Sequence, residues 1–212
     1  MALRIENLTL RRGERTIVAG LSLVADRGEA LLLTGPNGVG KTTLLRAIAG
    51  FLSFSQGVIS LNEADGEIGV GERAHFVGHL NGVKPALTVA ENARFWTRYL
   101  GGDETRVAAA LEQLGLSELA PIRAAYLSSG QKRRLGLARL LLAHRPLWLL
   151  DEPAVSLDAA SRGLLAEAVN RHLDSGGIVV AATHQALGFS PAREHELRPV
   201  GTSVQTSDAA AP

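Results

Sequence analysis

Eight consecutive residues carry the pattern of a phosphate-binding loop. The stretch Gly35-Pro36-Asn37-Gly38-Val39-Gly40-Lys41-Thr42 matches G-x-x-x-x-G-K-[ST], and Thr43 follows it. Its glycines let backbone N–H groups turn toward phosphate oxygens, Lys41 can reach the β- and γ-phosphates, and the Thr42 hydroxyl can bind Mg²⁺. The alternative is a tight turn that needs glycine for its backbone alone, but such a turn does not require lysine followed by threonine. The pattern therefore predicts a site for a nucleoside triphosphate with Mg²⁺.

Two carboxylates follow a fully apolar stretch farther along the chain. Residues 147–150 predict a buried strand, and Asp151 and Glu152 come directly after it. Open α/β sheets bind ligands at the carboxyl ends of their strands, so we expect both side chains to face the phosphate loop. There Asp151 would serve Mg²⁺, and Glu152 would orient or deprotonate an attacking water. A helix-capping carboxylate without chemistry is the alternative interpretation.

Short apolar stretches must position these groups. Residues 30–34 predict a strand before the phosphate loop, and residues 42–50 predict a helix after it. Residues 178–182 predict a further buried strand, which ends at Thr183-His184. Because continuous apolar strands alternate with helices, the sequence predicts an α/β fold whose parallel sheet is covered on both faces.

Other stretches predict the periphery of the fold. Strands are predicted over residues 3–10, 16–24, 57–61 and 74–77, with a polar surface loop over 62–73. Thr88 and Glu91 have the spacing of a capping box and open a helix that runs through Tyr99. Further helices are predicted from Asp103 to Gly115, from the segment after Gln131 to His144, and over 158–173. Residues 201–212 show no periodicity and predict a disordered tail.

Composition excludes several classes of protein. The 212 residues contain no cysteine, which excludes thiol catalysis, cysteine-ligated zinc and disulfides. The formal net charge of +1 argues against a dedicated nucleic-acid binder. The apolar runs are too short to span a bilayer, and the N-terminus lacks the apolar core of a signal peptide, so we expect one domain without a membrane span. Only three of the 22 basic residues are lysines, namely Lys41, Lys84 and Lys132.

Three further motifs resemble the ABC-type ATPases. Leu127-Ser128-Ser129-Gly130-Gln131 is similar to the L-S-G-G-Q signature of that family, with Ser129 in place of a glycine. Ser156-Leu157-Asp158 resembles the D-loop, so Asp158 is a candidate site residue, and His184 resembles the switch histidine. The resemblance covers nearly the whole chain up to His184.

The resemblance implies a fold and an assembly. It implies a single nucleotide-binding domain over residues 1–200, with a RecA-like parallel-sheet core, an N-terminal antiparallel β subdomain and a helical signature subdomain over about 83–140. It also implies that two copies close head to tail, so that Ser128, Ser129, Gly130 and Gln131 of one copy face the ATP of the other. The Ser128 hydroxyl and the Gly130 amide lie at a helix start and can donate to a γ-phosphate. His184 would contact the γ-phosphate and the attacking water. Lys132 either adds positive potential near the nucleotide of the other copy or belongs to a solvated charge run.

Two positions depart from the family pattern. The slot that usually holds glutamine falls on His79, whose imidazole could bind Mg²⁺ or hold water as a catalytic residue, or could be a plain surface histidine. The slot of the adenine-stacking aromatic falls on Arg11-Arg12-Gly13, where Arg12 could stack its guanidinium on the base.

Gly78-His79 and the stretch Leu147-Trp148-Leu149-Leu150-Asp151-Glu152-Pro153 resemble one subfamily in particular. This is the ATP-binding subunit of the bacterial cytochrome c maturation transporter, although Leu80-Asn81 replaces the expected Gln-Pro. The resemblance implies a peripheral protein at the cytoplasmic face of the inner membrane that binds an integral membrane subunit and no nucleic acid. Either haem export or release of a haem-loaded chaperone would fit.

Three other functions are compatible with parts of the sequence. The ATPase could serve another small-substrate transporter. A soluble ABC ATPase acting on nucleic acid or the ribosome would need a coiled-coil insertion or tandem domains, and a regulatory module without hydrolysis would not need Glu152 and His184. Phe95, Trp96 and Tyr99 either receive a membrane partner or pack in the core.

Overall fold

A five-stranded parallel sheet lies at the centre of the described fold. The structure, a computed structural model, describes residues 1–61, 69–185, 187–189 and 192–200. In chain order, the strands and α-helices are β1 (Ala2–Arg12), β2 (Arg15–Asp26), β3 (Ala30–Thr34), α1 (Lys41–Ile48), β4 (Gln56–Leu61), β5 (Ala74–Val77), α2 (Val89–Leu100), α3 (Val107–Gln113), α4 (Ser129–Leu137), α5 (Arg139–Leu142), β6 (Leu147–Asp151), α6 (Ala159–Asp174), β7 (Ile178–Ala182) and β8 (Ala192–Glu196).

The parallel sheet has the strand order β5-β6-β7-β3-β8 and separates two apolar cores. Every residue of β6 and β7 is buried. Alternate residues point to opposite faces, so Leu149 and Val180 pack in one core with α1, whereas Leu150 and Val179 pack in the other with α6. This arrangement confirms the predicted α/β class and explains why the strands read as unbroken apolar runs.

An antiparallel sheet covers the α1 side of the core. Its strand order is β2-β1-β4, and both pairings of β1 are antiparallel. The inward side chains Leu3, Ile5, Leu8 and Leu10 are almost fully buried in the core that contains α1. The N-terminal strands predicted from alternation are therefore confirmed, and they place the turn between β1 and β2 near the phosphate loop.

The helices of the middle of the chain pack around a third apolar core. The predicted capping box of α2 is confirmed, because Glu91 N donates to Thr88 Oγ1 and Thr88 N donates to Glu91 Oε2. Asp103 caps a short 3₁₀ turn, Glu104–Arg106, and α3 begins only after that turn.

The predicted helix up to His144 is wrong in two respects. It is divided at Ala138 into α4 and α5, and α5 ends at Leu142. Arg139 Nε donates to the carbonyl of Gly136, which competes with the next bond of the α-helical ladder.

One strand lies beyond what the patterns predicted, and two other predictions fall wholly or partly outside the described residues. β8 pairs in parallel with β3 although its polar sequence gave no strand signal. Of the predicted surface loop, residues 62–68 lie outside the described part, and Val70–Arg73 form a 3₁₀ turn. The predicted disordered tail, residues 201–212, also lies outside the described residues.

Within the described ranges, none of the helices combines the length and the apolar character that a bilayer crossing requires.

Because two histidines are buried in the folded chain, we predict that the protein is less stable to unfolding at acid pH. Burial lowers the pKa of His75 and of His172 from 6.5 to about 4. The unfolded chain takes up these protons near pH 6.5 and the folded chain only near pH 4, so the free energy of unfolding should fall by about 2 kcal/mol per histidine from pH 7 to pH 5. Urea unfolding at both pH values measures this change. His75→Gln should reduce the pH dependence, whereas replacement of the exposed His79 by Gln should not, and equal pH dependence in all three proteins would contradict the assignment.

Candidate active site

A cavity of about 390 Å³ opens at the carboxyl ends of the parallel strands. Its walls come from the β1–β2 turn, the phosphate loop, α1 and the ends of β6 and β7. The lining residues are Arg12, Arg15, Ile17, Asn37, Gly38, Gly40, Lys41, Thr42, Thr43, Asp151, Glu152 and His184. The structure thus brings together residues that are up to 172 positions apart, since Arg12 and His184 line the same cavity.

The phosphate loop adopts a conformation that requires glycine. Gly35, Gly38 and Gly40 have φ angles of 118°, 77° and 116°, which side chains other than glycine rarely adopt. A Cβ atom at Gly40 would also collide with Ile17, and one at Gly35 would collide with the carbonyl of Leu197. Lys41 Nζ donates to the carbonyl oxygens of Gly35 and Pro36 at 2.7 and 3.0 Å. The lysine therefore lies folded across the loop, with its ammonium at the place where phosphate oxygens would arrive.

Oxygen ligands suited to Mg²⁺ meet at the base of the cavity. The Thr42 hydroxyl donates to both carboxylate oxygens of Asp151, at 2.9 and 3.0 Å. Asp151 is 7% exposed. Mg²⁺ prefers a hydroxyl, one or two carboxylates, water and substrate phosphates, so this pair fits the ion. Within the described ranges, no three His, Cys, Asp or Glu side chains are arranged to hold a metal on their own.

Glu152 and His184 lie side by side because β6 and β7 are parallel neighbours. Asp151 pairs with Ala182, so the residues that follow both strands meet at one edge. His184 Nε2 lies 3.9 Å from Glu152 Oε1 and 2.8 Å from Asn37 Oδ1. Glu152 has a φ of 46°, a left-handed conformation uncommon for a residue with a side chain. The carboxylate and the imidazole can therefore act on one water molecule near the phosphate loop.

The structure does not bring every predicted residue to the cavity. Gly35, Pro36 and Val39 are not among its lining residues; Val39 packs in the core with α1. Arg12, the candidate for stacking on the base, lines the cavity, whereas His79 is exposed on a loop and does not line it.

The signature residues form the start of α4, away from this cavity. The Ser128 hydroxyl accepts from Gln131 N, and Gln131 Oε1 accepts from Ser128 N, which is a capping box. Ser129 is exposed, and Gly130 lies against the carbonyl of Ser156 in the D-loop. Asp158 caps α6 through Ser161, and this hydrogen bonding lowers the pKa of Asp158.

Three residues of this region escaped the sequence analysis. Arg15 and Ile17 line the cavity because the β1–β2 hairpin pairs Arg15 with Arg12. Arg133 belongs to a stretch for which a solvated charge run was one of two open interpretations, but it is 4% exposed and donates to the carbonyl of Glu152. Its signal was its position four residues before the buried Leu137, on the same helix face.

Lys132 and Lys84 bind protein groups in the structure. Lys132 Nζ donates to the carbonyl of Ala125 at 3.2 Å. Lys84 Nζ lies 4.2 Å from the centre of the Phe95 ring, a cation–π contact.

Phe95 stacks on Tyr99, which is 72% exposed, and together with Trp96 they form an aromatic surface on α2.

Comparison with known proteins gives consistent results. A family model described as ABC transporter matches residues 7–155. The cytochrome c biogenesis ATP-binding export proteins CcmA of Chelativorans sp. (strain BNC1) and of Nitrobacter winogradskyi are each 48% identical to this chain, over 92% of it and 96% of their own length. The corresponding protein of Brucella abortus is 45% identical over 91% of the chain and 89% of its own length.

Solved structures show the same fold. A putative ABC transporter ATP-binding protein from Pyrococcus furiosus superposes with a TM-score of 0.78 at 23% identity, covering 93% of this chain and 98% of its own. An ATP-binding subunit of an ABC transporter superposes with a TM-score of 0.77 at 26% identity, covering 87% and 80%.

Proposed function

Because the chain belongs to the ABC transporter family and, within it, to the cytochrome c biogenesis ATP-binding export proteins, we propose that it hydrolyses ATP to drive a membrane partner. The observation that carries the proposal is the single cavity in which Lys41, Asp151 and Glu152 meet. Phosphate binding, metal binding and water activation need these three side chain types at one place.

Different residues of the cavity have different roles in the proposed hydrolysis. Backbone N–H groups of the phosphate loop and the Lys41 ammonium hold the β- and γ-phosphates. Thr42 and Asp151 would hold Mg²⁺, which neutralises phosphate charge when bound. Glu152 accepts a proton from the attacking water, and His184, kept in place by Asn37, orients that water against the γ-phosphate. Arg12 and Arg15 line the same cavity, and the base would lie against them.

The position of the signature supports a dimer of two copies. Ser128, Ser129 and Gly130 begin α4 and do not line the cavity of their own chain. The N-terminus of a nine-residue helix carries partial positive charge and free N–H groups that suit a γ-phosphate. We propose that these groups complete the ATP site of a second copy, with the copies arranged head to tail.

The aromatic surface of α2 supports a site for the membrane subunit. Leu87, Glu91, Arg94, Phe95, Arg98 and Tyr99 surround an open cavity of about 600 Å³. An exposed patch that combines aromatic and arginine side chains is typical of protein interfaces. We propose that a segment of an integral membrane subunit docks there, which would place this protein peripherally at the cytoplasmic face of the bacterial inner membrane.

The names of the relatives point to the process that the ATPase serves. They are described as cytochrome c biogenesis ATP-binding export proteins. We propose the same process for this chain, with haem export or the release of a haem-loaded chaperone as the driven step.

Purification from bacterial membranes tests the proposal. The full chain should co-purify with one integral membrane protein, and the complex should hydrolyse Mg-ATP. Tyr99→Ala should reduce co-purification, whereas Tyr126→Ala, which changes another exposed tyrosine outside the aromatic surface, should not. Recovery of the chain without a membrane protein, or with nucleic acid or ribosomes, would contradict the proposal.

His79 is expected to act on turnover more than on binding. If its imidazole takes the role of the usual glutamine in the closed dimer, His79→Ala should lower kcat by about tenfold and change the ATP affinity by less than about twofold. Steady-state hydrolysis with a separate binding measurement separates the two effects. His144→Ala is the matched control, since His144 is also exposed. Equal turnover in all three proteins would make His79 a plain surface histidine.

A further inference from the structure

Arg133 is a buried cation that connects three segments of the chain: the helix α4, the turn that carries Glu152 and the loop that carries His79. It lies in α4, two residues after the signature, and its side chain donates hydrogen bonds to five different protein groups. We propose that Arg133 is a positioning residue that fixes the turn carrying Glu152 and couples this turn to the signature helix. The inference rests on the proposed ATP hydrolysis and adds to it a residue that touches neither nucleotide nor water.

The first set of contacts holds the backbone on both sides of Glu152. Arg133 Nη2 donates to the carbonyl oxygens of Glu152 and Asp151 at 2.7 and 3.3 Å, and Nε donates to that of Pro153 at 3.1 Å. Three successive carbonyl groups therefore turn toward one planar guanidinium. Glu152 between them has a φ of 46°, a strained conformation that persists only when its surroundings hold it. The Arg133 fork supplies that hold, and so determines where the Glu152 carboxylate points.

The second set of contacts reaches the loop that carries His79. Arg133 Nη1 donates to the carbonyl of Gly78 at 2.8 Å and to Asn81 Oδ1 at 3.0 Å. Because the donors of a guanidinium keep a fixed geometry, α4, the Glu152 turn and this loop cannot shift independently. A γ-phosphate of a second copy that binds the signature would displace the start of α4. Arg133 would transmit this displacement of α4 to Glu152 of the same chain.

The burial of Arg133 shows that these contacts replace solvent. Its side chain is 4% exposed, and burial lowers its pKa, an effect that the charges of Asp151 and Glu152 oppose. A buried guanidinium must satisfy its donors, and here backbone carbonyls and one amide satisfy them. Lysine offers a single point of charge without the fork and cannot replace these contacts.

The decisive variant is Arg133→Gln in the full chain. We expect kcat for ATP hydrolysis to fall by at least about tenfold while KM and the affinity for a fluorescent ATP analogue change by less than about twofold. Among the described residues, the hydrogen bonds of Arg133 go to groups outside the phosphate loop, which we propose binds the nucleotide, so binding should persist. Arg133→Ala should regain activity when guanidinium ions are added, which a general loss of structure would not allow.

Two neighbouring arginines serve as matched controls. Arg134 lies on the same helix and donates to the carbonyls of Leu114 and Gly115, away from the site, so Arg134→Gln should keep kcat. Arg139 binds the carbonyls of Asn81 and Gly136 but not the Glu152 turn, so Arg139→Gln should lower kcat less than Arg133→Gln. If Arg133→Gln does not fold, Arg133→Lys provides the same comparison.

The outcomes separate this inference from the proposed function. Loss of the wild-type hydrolysis, or full activity of Glu152→Gln, would overturn the proposed function itself. If the wild type hydrolyses ATP and Glu152→Gln does not, then an unchanged kcat in the Arg133 variant, or a rise in KM alone, would overturn only the positioning role.

Discussion

Glu152→Gln is expected to bind Mg-ATP with nearly unchanged affinity and to hydrolyse it at least about 100-fold more slowly, since a general base contributes about 10² to 10⁴ in rate. Gln has the same shape but cannot accept the proton of the attacking water. The backbone carbonyl of Glu152 still receives the Arg133 hydrogen bond in the variant, so the turn should keep its conformation. Single-turnover hydrolysis and equilibrium binding measure the two effects separately.

The same variant should also change the assembly of the protein. If two copies enclose ATP between the phosphate loop of one and the signature of the other, blocked hydrolysis should leave the ATP-bound dimer in place. Size-exclusion chromatography with light scattering should then detect a dimer with ATP and a monomer without it. Glu167→Gln is the matched control, because Glu167 lies exposed on α6 and pairs only loosely with Arg171, at 3.8 Å. A monomer with unchanged turnover would contradict the assigned mechanism.

Lys41→Ala is expected to abolish binding rather than turnover alone. The Lys41 ammonium lies 2.7 Å from the carbonyl of Gly35, inside the loop that we propose encloses the phosphates. Its removal takes away the positive charge that faces the β- and γ-phosphates. The ATP affinity should fall by at least about 100-fold, equivalent to about 2.8 kcal/mol.

Titration with a fluorescent ATP analogue measures this loss. Arg46→Ala is the matched control, since Arg46 is an exposed cation in the last turn of the same helix, α1. Thermal unfolding without nucleotide should be similar for both variants and the wild type. A Lys41→Ala protein that binds ATP as the wild type does would show that the loop is a structural turn, which is the alternative the sequence left open.

Some features of the site follow from short stretches of sequence. The phosphate loop, the capping box at Thr88 and the acidic strand end at Asp151 each depend on residues within about eight positions of one another. Local backbone geometry and side-chain chemistry are sufficient for these features, because each depends on residues close to one another in the chain. The buried strands were equally readable, since the sheet is covered on both faces and its apolar runs are unbroken.

Other features depend on residues that meet only in the folded chain. β8 pairs with β3 across 162 positions, from Ala30 to Ala192, and its own sequence is polar because it lies at the edge of the sheet. Arg133 looks like a surface charge in the sequence, and only its packing against residues 18 to 55 positions away reveals a buried connector. Lys84 could not be explained from its neighbours, and the structure places its ammonium over the Phe95 ring.

The sequence by itself thus determined which chemical groups are candidates for the reaction: a lysine and a threonine that we propose for phosphate and Mg²⁺, and two carboxylates at a strand end. The tertiary structure decided how these groups are oriented, because orientation depends on hydrogen bonds between distant segments. It set Glu152 in a left-handed conformation near His184, and it left the signature residues out of the lining of their own chain's cavity. Pairing of such segments is set by the burial of the whole core, which no local pattern contains.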